Sequence, residues 1–362
     1  MNALSTTPQK ITSFLGFRRG LYTVLFIIFG GALLGFSLAR LHYISFDGVF
    51  CRSGDPKAPP GECYWYRKSL YKAGIVMHLA CILPACVLAV FQFVPSIRHH
   101  FLIFHRLSGS LIVLLVLASN AGAIIIASRV FGGSVPTQSV TGTAVLLSTF
   151  GILNAYYNIK RQQLDQHRAW MMRTFAWMAH VITMRFIQMA AVEILSKFPH
   201  PLYETRACVE MVDVAGTELL YTLHPECGPG YPNSTTPGYF TARANWFSED
   251  PYEKTAAGGA AFGMSAWLAF AIHAIAVEIY LAATTREAQR LRQVSYERQL
   301  ARGFKNPGSA GFFWGKFGDV EPFVPKSDSR GAGEERTESR SAGEEDAELE
   351  KRNVADSAAS SA

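Results

Sequence analysis

Residues 71–94 read YKAGIVMHLACILPACVLAVFQFV. Beyond Lys72 near its start, the stretch carries one imidazole, His78, and one amide, Gln92, and is otherwise apolar or small. A helix crosses the hydrocarbon of a bilayer with about 20 such residues, so this is a membrane span. Comparable segments recur near 21–41, 107–131, 139–158, 169–195 and 259–282. The fold expected is therefore an all-α integral membrane protein, a bundle of six transmembrane helices between residues 21 and 284. The composition agrees: of 362 residues, 49% are hydrophobic and 17% charged. The first span is too long, and lacks a small-residue cleavage pattern after Ala39, to be a removable signal peptide. No period of 20–50 residues recurs, which excludes a repeat array.

Outside the spans, residues 1–20 form a short N-terminal segment, 285–325 a basic helix and linker, and 326–362 a tail of Ser, Ala, Gly, Glu and Arg. That tail has too little apolar surface to offset its ordering entropy and is expected to be disordered. It carries six basic and ten acidic residues, so the remainder of the chain is more basic than the overall net charge of +6. No nucleic-acid motif accompanies this basicity, which is assigned to the membrane surface and its lipid.

Basic residues orient the bundle. Lys10, Arg18 and Arg19 precede the first span, and Arg98 and Arg106 follow the second. Lys160, Arg161, Arg168 and Arg173 face only Asp165 in the connection after the fourth. Arg286, Arg290, Arg292, Arg298 and Arg302 follow the sixth. Six spans place all four groups on one side, the cytosolic one, together with both termini. Loops 42–70 and 197–258 then face outward. They hold Cys51, Cys63, Cys208 and Cys227, four disulfide candidates with three ways to pair. Asn233-Ser234-Thr235, a glycosylation acceptor, lies in the same third loop. Together these indicate a secretory-pathway membrane, with the endoplasmic reticulum the expected location. Cys81 and Cys86 are read as packing residues.

Ionisable groups inside apolar spans are few, and a bilayer tolerates them when they pair or act on something. Here they are His78, His180, Arg185, Glu193 and His273. His78 and Gln92 lie ~40° apart and ~21 Å along one helix, joined by Cys81, Ala85 and Ala89. Such a stripe is either a close packing surface or a cavity wall. In span five, His167 and Arg185 are about five turns apart and fall on one line through Thr174 and Met178, with Glu193 about two turns further, ~80° round. His180 points nearly opposite to His167. Arg185 and Glu193 are read as a buried pair, structural or functional. Two helix starts also share a His-Arg order, His105-Arg106-Leu107-Ser108-Gly109 and His167-Arg168-Ala169-Trp170-Met171-Met172-Arg173. Interfacial anchoring accounts for the cations and for Trp170, but not for the repeated imidazole.

His78, Gln92-Phe93, Arg98, His105-Arg106 with Gly109, the 167–173 run and Arg185 resemble the motif series of a bacterial and fungal membrane family long without an assigned function. Its fungal members include the membrane-bound terpene cyclases of meroterpenoid pathways. The resemblance covers roughly residues 71–195. It implies cyclisation of a farnesyl chain attached to an aromatic or quinone-type head group, with or without an epoxide, started by protonation. The partner is then a lipophilic prenylated small molecule.

Such chemistry needs a dry site, an acid and electron-rich walls. Glu193 and His78 are the candidate acids, with Arg185 and His167 completing the catalytic set. Gln92, His105, Arg106, Arg168, Trp170, Arg173 and His180 are the cavity or structural polar groups. Phe91, Phe93, Trp177, Phe186, Trp267 and Phe270 offer π faces to a carbocation, or simply pack. No Asp-rich diphosphate motif is present, and no metal or cofactor is expected. Two other classes compete. His78 with His180, and His105 with His167, have the residue types and depths for two haem b groups, as in ascorbate-reducible cytochromes b. A transporter or receptor-like protein is the third class, but matched, broken helices are lacking.

Overall fold

The computed structural model describes residues 12–17, 20–229, 238–309, 317–318 and 323–325. Lys10, Arg18, Arg19, Asn233 and the tail from Lys326 lie outside the described residues.

Spanning chain has no water to satisfy its backbone and therefore forms helices. In chain order the helices, spanning and short alike, are α1 (Gly20–Leu38), α2 (Glu62–Tyr66), α3 (Ser69–Gln92), α4 (Pro95–His100), α5 (Leu102–Ile126), α6 (Val135–Lys160), α7 (Leu164–Met178) and α8 (His180–Lys197). After strand β1 (Tyr203–Ala207) come α9 (Cys208–Leu223), strand β2 (Tyr239–Arg243), α10 (Pro251–Ala283) and α11 (Thr285–Ala301). Five segments are long and apolar enough to cross a membrane: Gly20–Ile44, Ser69–Gln92, Leu102–Ile126, Leu164–Lys197 and Pro251–Ala283. The protein is accordingly a helical, multi-pass membrane protein. α6 matches them in length but is studded with polar groups, among them Thr137, Gln138, Ser148, Asn154 and Asn158.

Local sequence sets the boundaries. α3 carries Pro84 in its interior and ends where Val94, preceding Pro95, turns extended (ψ 114°). A residue before proline avoids the helical region, and Pro95 then opens α4 from its first position. The expected outward loops are more ordered than loops. Residues 203–207 and 239–243 pair antiparallel, with Arg206 opposite Phe240. Disulfides join Cys51 to Cys63 and Cys208 to Cys227, while Cys81 and Cys86 are free.

The chain forms two compact units. Among the described residues, one holds those up to Asn154 with Trp170–Leu281, the other Ala155–Ala169 with those from Ala282 to 325. In the first, α3 and α5 approach closely. A Cβ on Gly122 of α5 would lie 2.5 Å from the Gly74 carbonyl oxygen of α3. Ala85 and Ala89 pack there with Ile112, Val113, Val116, Ile152 and Phe175.

In the second unit, α11 is not simply an exposed basic helix. Its Ser295 and Gln299 are buried. The Ser295 hydroxyl accepts the Leu164 N–H at 2.9 Å, and the Gln299 amide donates to the Arg161 carbonyl at 2.8 Å. These bonds satisfy backbone groups left free where α6 turns into α7. Arg290 pairs with Glu287 on the helix surface.

Candidate functional site

The small stripe of α3 is a packing seam, and both of its polar ends are engaged by α5. The His78 Nδ1–H donates to the Ser119 carbonyl at 3.1 Å, with the Ser119 hydroxyl 2.9 Å from the same nitrogen. The Gln92 amide donates to the Ser108 hydroxyl at 2.6 Å. Of the two sequence readings, close packing therefore describes this stripe.

Span five is made of two helices: α7 ends at Met178 and α8 starts at His180, with Ala179 between them in the right-handed helical region (φ −70°, ψ −7°). The expected Arg185–Glu193 pair is absent. Glu193 is exposed and bonded to Lys197 at 2.7 Å, one turn along its own helix. Arg185 donates to the Gln188 side chain at 3.2 Å, and Gln188 anchors on the Gly258 carbonyl at 3.1 Å. Two residues of one helix ~80° apart face different surroundings, and each has taken the partner on its own side.

The remaining sequence candidates are placed as follows. His180 donates Nδ1–H to the Trp177 carbonyl at 2.6 Å and lies edge-on to Phe270. His273 donates to the Ala176 carbonyl and accepts from the Thr183 hydroxyl. Arg173 forms a two-pronged bond to Glu278 at 2.7 and 2.9 Å beneath the Trp170 ring. In the second unit, His167 donates to the Ala155 carbonyl at 2.9 Å and Arg168 to the Thr284 hydroxyl at 3.1 Å. His105 is half-buried and Arg106 exposed. Among the described residues, no three His, Cys, Asp or Glu converge as metal ligands.

A denser polar cluster lies at the disulfide-bearing end, and sequence reasoning did not single it out. Its centre is Glu62, 3% exposed, at the start of α2. The Cys51–Cys63 bridge and the packed Phe46, Phe50, Ala58 and Tyr66 hold α2 in place. Gly61, at φ +86°, turns the chain into it against Met211 and the Glu210 backbone of α9. The Glu62 carboxylate accepts the Phe131 N–H at 2.7 Å and the Tyr66 hydroxyl.

Phe131 is held in the left-handed region (φ +48°), followed by Gly132 and Gly133 with the same sign. Its ring stacks on Phe262 of α10 at 4.1 Å, and the Arg185 guanidinium lies 5.6 Å from its centroid. A phenylalanine at positive φ costs on the order of 1–3 kcal/mol, and such strain persists where the surroundings over-determine it. Here the Glu62 bond and the Phe262 stack supply that constraint.

Arg206 (3% exposed) enters from β1, 3.7 Å from both Glu204 and Glu210. Glu210 also accepts the Trp65 indole N–H. Burial pushes the Glu62 carboxyl up to about 7, against the opposing pull of its hydrogen bonds and of Arg206 and Arg185. Burial likewise takes Glu204 to about 7, with Arg206 opposing. The Tyr66 hydroxyl is driven well above its usual range, by burial first and by Glu62 second. It therefore stays protonated and donates. The arrangement is a carboxylic acid held half-protonated at neutral pH beside aromatic rings, which can give a proton and take one back.

With this geometry in hand, relatives add a frame. Residues 75–209 match the family described as Predicted membrane protein (DUF2306). The chain is also similar to the Ava biosynthesis cluster protein G of Aspergillus versicolor, 23% identical over 336 residues, 79% of this chain and 96% of that protein. No solved structure matches. The family match begins beyond Glu62 but takes in Arg185, Glu204 and Arg206.

One signal for the missed cluster was present in the sequence. Glu62 directly precedes a disulfide candidate, and Glu204, Arg206 and Glu210 flank another. Charges next to bridged cysteines in short ordered loops have less freedom to reach water.

Proposed function

We propose that this protein is a membrane-bound enzyme of secondary metabolism that cyclises a prenylated polyene by acid initiation, with Glu62 as the acid. The observation that carries the reading is a buried carboxyl group pushed to about 7 and held against the backbone of a stacked aromatic pair. The similarity to a biosynthesis cluster protein supports the metabolic setting.

In this reading the Glu62 O–H gives its proton to an epoxide oxygen or an alkene carbon. The neighbouring alkene's π pair forms the new ring bond, and the cation moves along the chain until a C–H proton is lost. One proton enters and one leaves, so the net reaction is an isomerisation. Tyr66 and the Phe131 N–H stabilise the carboxylate left behind, which lowers the barrier to proton donation. Aromatic faces nearby already attract cations: Arg129 stands 3.7 Å over the Trp65 ring, and Arg185 beside Phe131 and Phe262. A carbocation is drawn to such faces by the same quadrupole. His78, Glu193 and His167 leave the catalytic set, because packing bonds or the surface Lys197 engage them. Arg185 stays as a positioning charge.

This reading puts the cluster on the lumenal side of a secretory-pathway membrane, where disulfides persist, with both termini cytosolic. The test is expression with farnesylated aromatic precursors, epoxidised and not, comparing wild type with Glu62→Gln. Cyclic product from wild type and linear precursor from the variant supports the reading. Cyclic product from both would sink it.

A second reading is favoured by the imidazoles. His78 and His180 each point Nδ1–H at a backbone carbonyl, which leaves the Nε2 lone pair for a ligand. These donors fit haem iron. A Soret band in the purified protein would move the assignment there.

A further inference from the structure

The outer face of α8 changes character towards its end. Phe186 and Met189 stand out from the helix, 70% and 69% exposed, within a segment apolar enough to span a membrane. Further along the same face come Glu193 and Lys197, paired with each other at 2.7 Å. Charged side chains avoid the hydrocarbon and collect where headgroups begin. The last turn of α8 thus lies at the level where the membrane core gives way to its interface.

A corner of the 197–258 loop is fixed at that level. The Trp246 N–H donates to the Ser196 hydroxyl of α8 at 2.7 Å, and the Lys197 ammonium lies 5.3 Å from the Phe247 ring centroid. The Phe247 N–H donates to the Asn245 side chain at 3.1 Å, and the Asn245 N–H to the Glu253 carbonyl in the first turn of α10 at 3.3 Å. On the other strand of this corner, Phe198 leaves α8 in an extended conformation (ψ 137°), as a residue before proline does. Pro199 and Pro201 stiffen the way to Leu202, whose carbonyl accepts the Ala244 N–H at 2.8 Å.

The backbone here is held from both sides, yet the large rings are turned out of the protein. Phe198, Trp246 and Phe247 are 51%, 49% and 58% exposed, and Leu202 and Tyr203 next in the chain are exposed as well. Several large rings gathered on one exposed corner mark an interaction surface.

We propose that Phe198, Trp246 and Phe247 form a membrane-interface anchor whose partner is the phospholipid headgroup layer around the end of α8. The occupant follows from continuity: the corner is hydrogen-bonded to the last turn of a spanning helix, at the depth its charged pair defines. Tryptophan suits that depth, because its ring body enters the upper acyl region while its indole N–H meets headgroup oxygens. Phe198 and Phe247 flank it, and the Lys197 ammonium reaches phosphate. The loop expected to face outward is in this way tethered at membrane level, and the Asn245–Glu253 bond carries the tether to the start of α10. The anchor goes beyond the cyclase reading and needs neither turnover nor a particular orientation, since either leaflet supplies the same headgroups.

Trp246 is one of six tryptophans, so its fluorescence is read as the difference between wild type and Trp246→Phe. Both are used full length in phosphatidylcholine nanodiscs, with folding checked by thermal unfolding. Three quenchers report the surroundings: a nitroxide on the lipid headgroup, a nitroxide at the acyl-chain end, and aqueous iodide. The headgroup nitroxide is expected to remove most of the Trp246 signal, and the other two much less. Replacing both flanking rings, Phe198→Ser with Phe247→Ser, should weaken headgroup quenching and strengthen quenching by iodide. Quenching by iodide alone would place the corner in water and overturn the proposal. Strongest quenching from the chain end would overturn it by placing the corner in hydrocarbon. Protection from all three would mean that protein, such as a second copy of the chain, covers the rings, and would overturn it equally. Headgroup quenching unchanged in the folded double variant would remove the anchoring role of the two phenylalanines.

Discussion

The Glu62 carboxylate receives the backbone N–H of Phe131 at 2.7 Å, across 69 residues of sequence. That single bond couples an acid on a disulfide-bridged loop to a ring stacked on α10, and it makes the protonation state of Glu62 a property of three separate segments.

Glu62→Gln should lower turnover by about 10²–10⁴-fold, the usual contribution of a positioned acid, with little loss of folded protein. In wild type the rate should fall as pH rises through about 7, because only the protonated acid can donate.

Stability should follow the same group with a defined sign. The folded carboxyl titrates near 7 and the unfolded one near 4.5. Below 4.5 both are protonated and no penalty exists. Between 4.5 and 7 the unfolded chain releases its proton first, so folding weakens as pH rises, by about 3 kcal/mol in total. Thermal unfolding of wild type and Glu62→Gln across pH 4–8 measures this, and the variant should show the flatter curve.

The α3–α5 seam should be intolerant of size. Gly122→Val puts a branched side chain where even a Cβ meets the Gly74 carbonyl, and should cost on the order of 1–3 kcal/mol or more. His78→Ala, which removes one bond to Ser119, should cost about 1 kcal/mol. Detergent-solubilised unfolding temperatures rank the two.

Thiol labelling of the denatured, non-reduced protein should modify two cysteines, Cys81 and Cys86. Opening Cys51–Cys63 with Cys→Ser changes should destabilise the protein by about 2–5 kcal/mol and displace Glu62 with it. Labelling of all six would remove the oxidised loops and the lumenal placement together.

Glycosidase treatment should shift the gel mobility of wild type but not of Asn233→Gln. Sugar on the C-terminal tail would invert the proposed orientation.

The helices were legible because hydropathy in a membrane protein reports a solvent rather than a partner, and the 71–94 stretch announces its span on its own. The polar candidates were less so. His78 and Gln92 were correctly placed on one face, but a linear sequence does not say that Ser108 and Ser119 of α5 meet that face. Arg185 and Glu193 do share one helix, α8, but Gln188 beside the one and Lys197 one turn from the other give each its own partner. Glu62, Glu204 and Arg206 carry no periodic signal, since they lie in short segments whose burial is created by chain far off in sequence.

That distance bears on how the protein is made. Glu62 leaves the ribosome long before Phe262 and Gly259, so during synthesis it is an ordinary wet carboxylate with an ordinary affinity for protons. Burial is what raises its proton affinity, and the Phe131 N–H that it meets is made 69 residues later. The first outward loop therefore reaches its final surroundings only after later segments have been made, and a chain ending before α10 would lack the Phe262 ring on which Phe131 stacks.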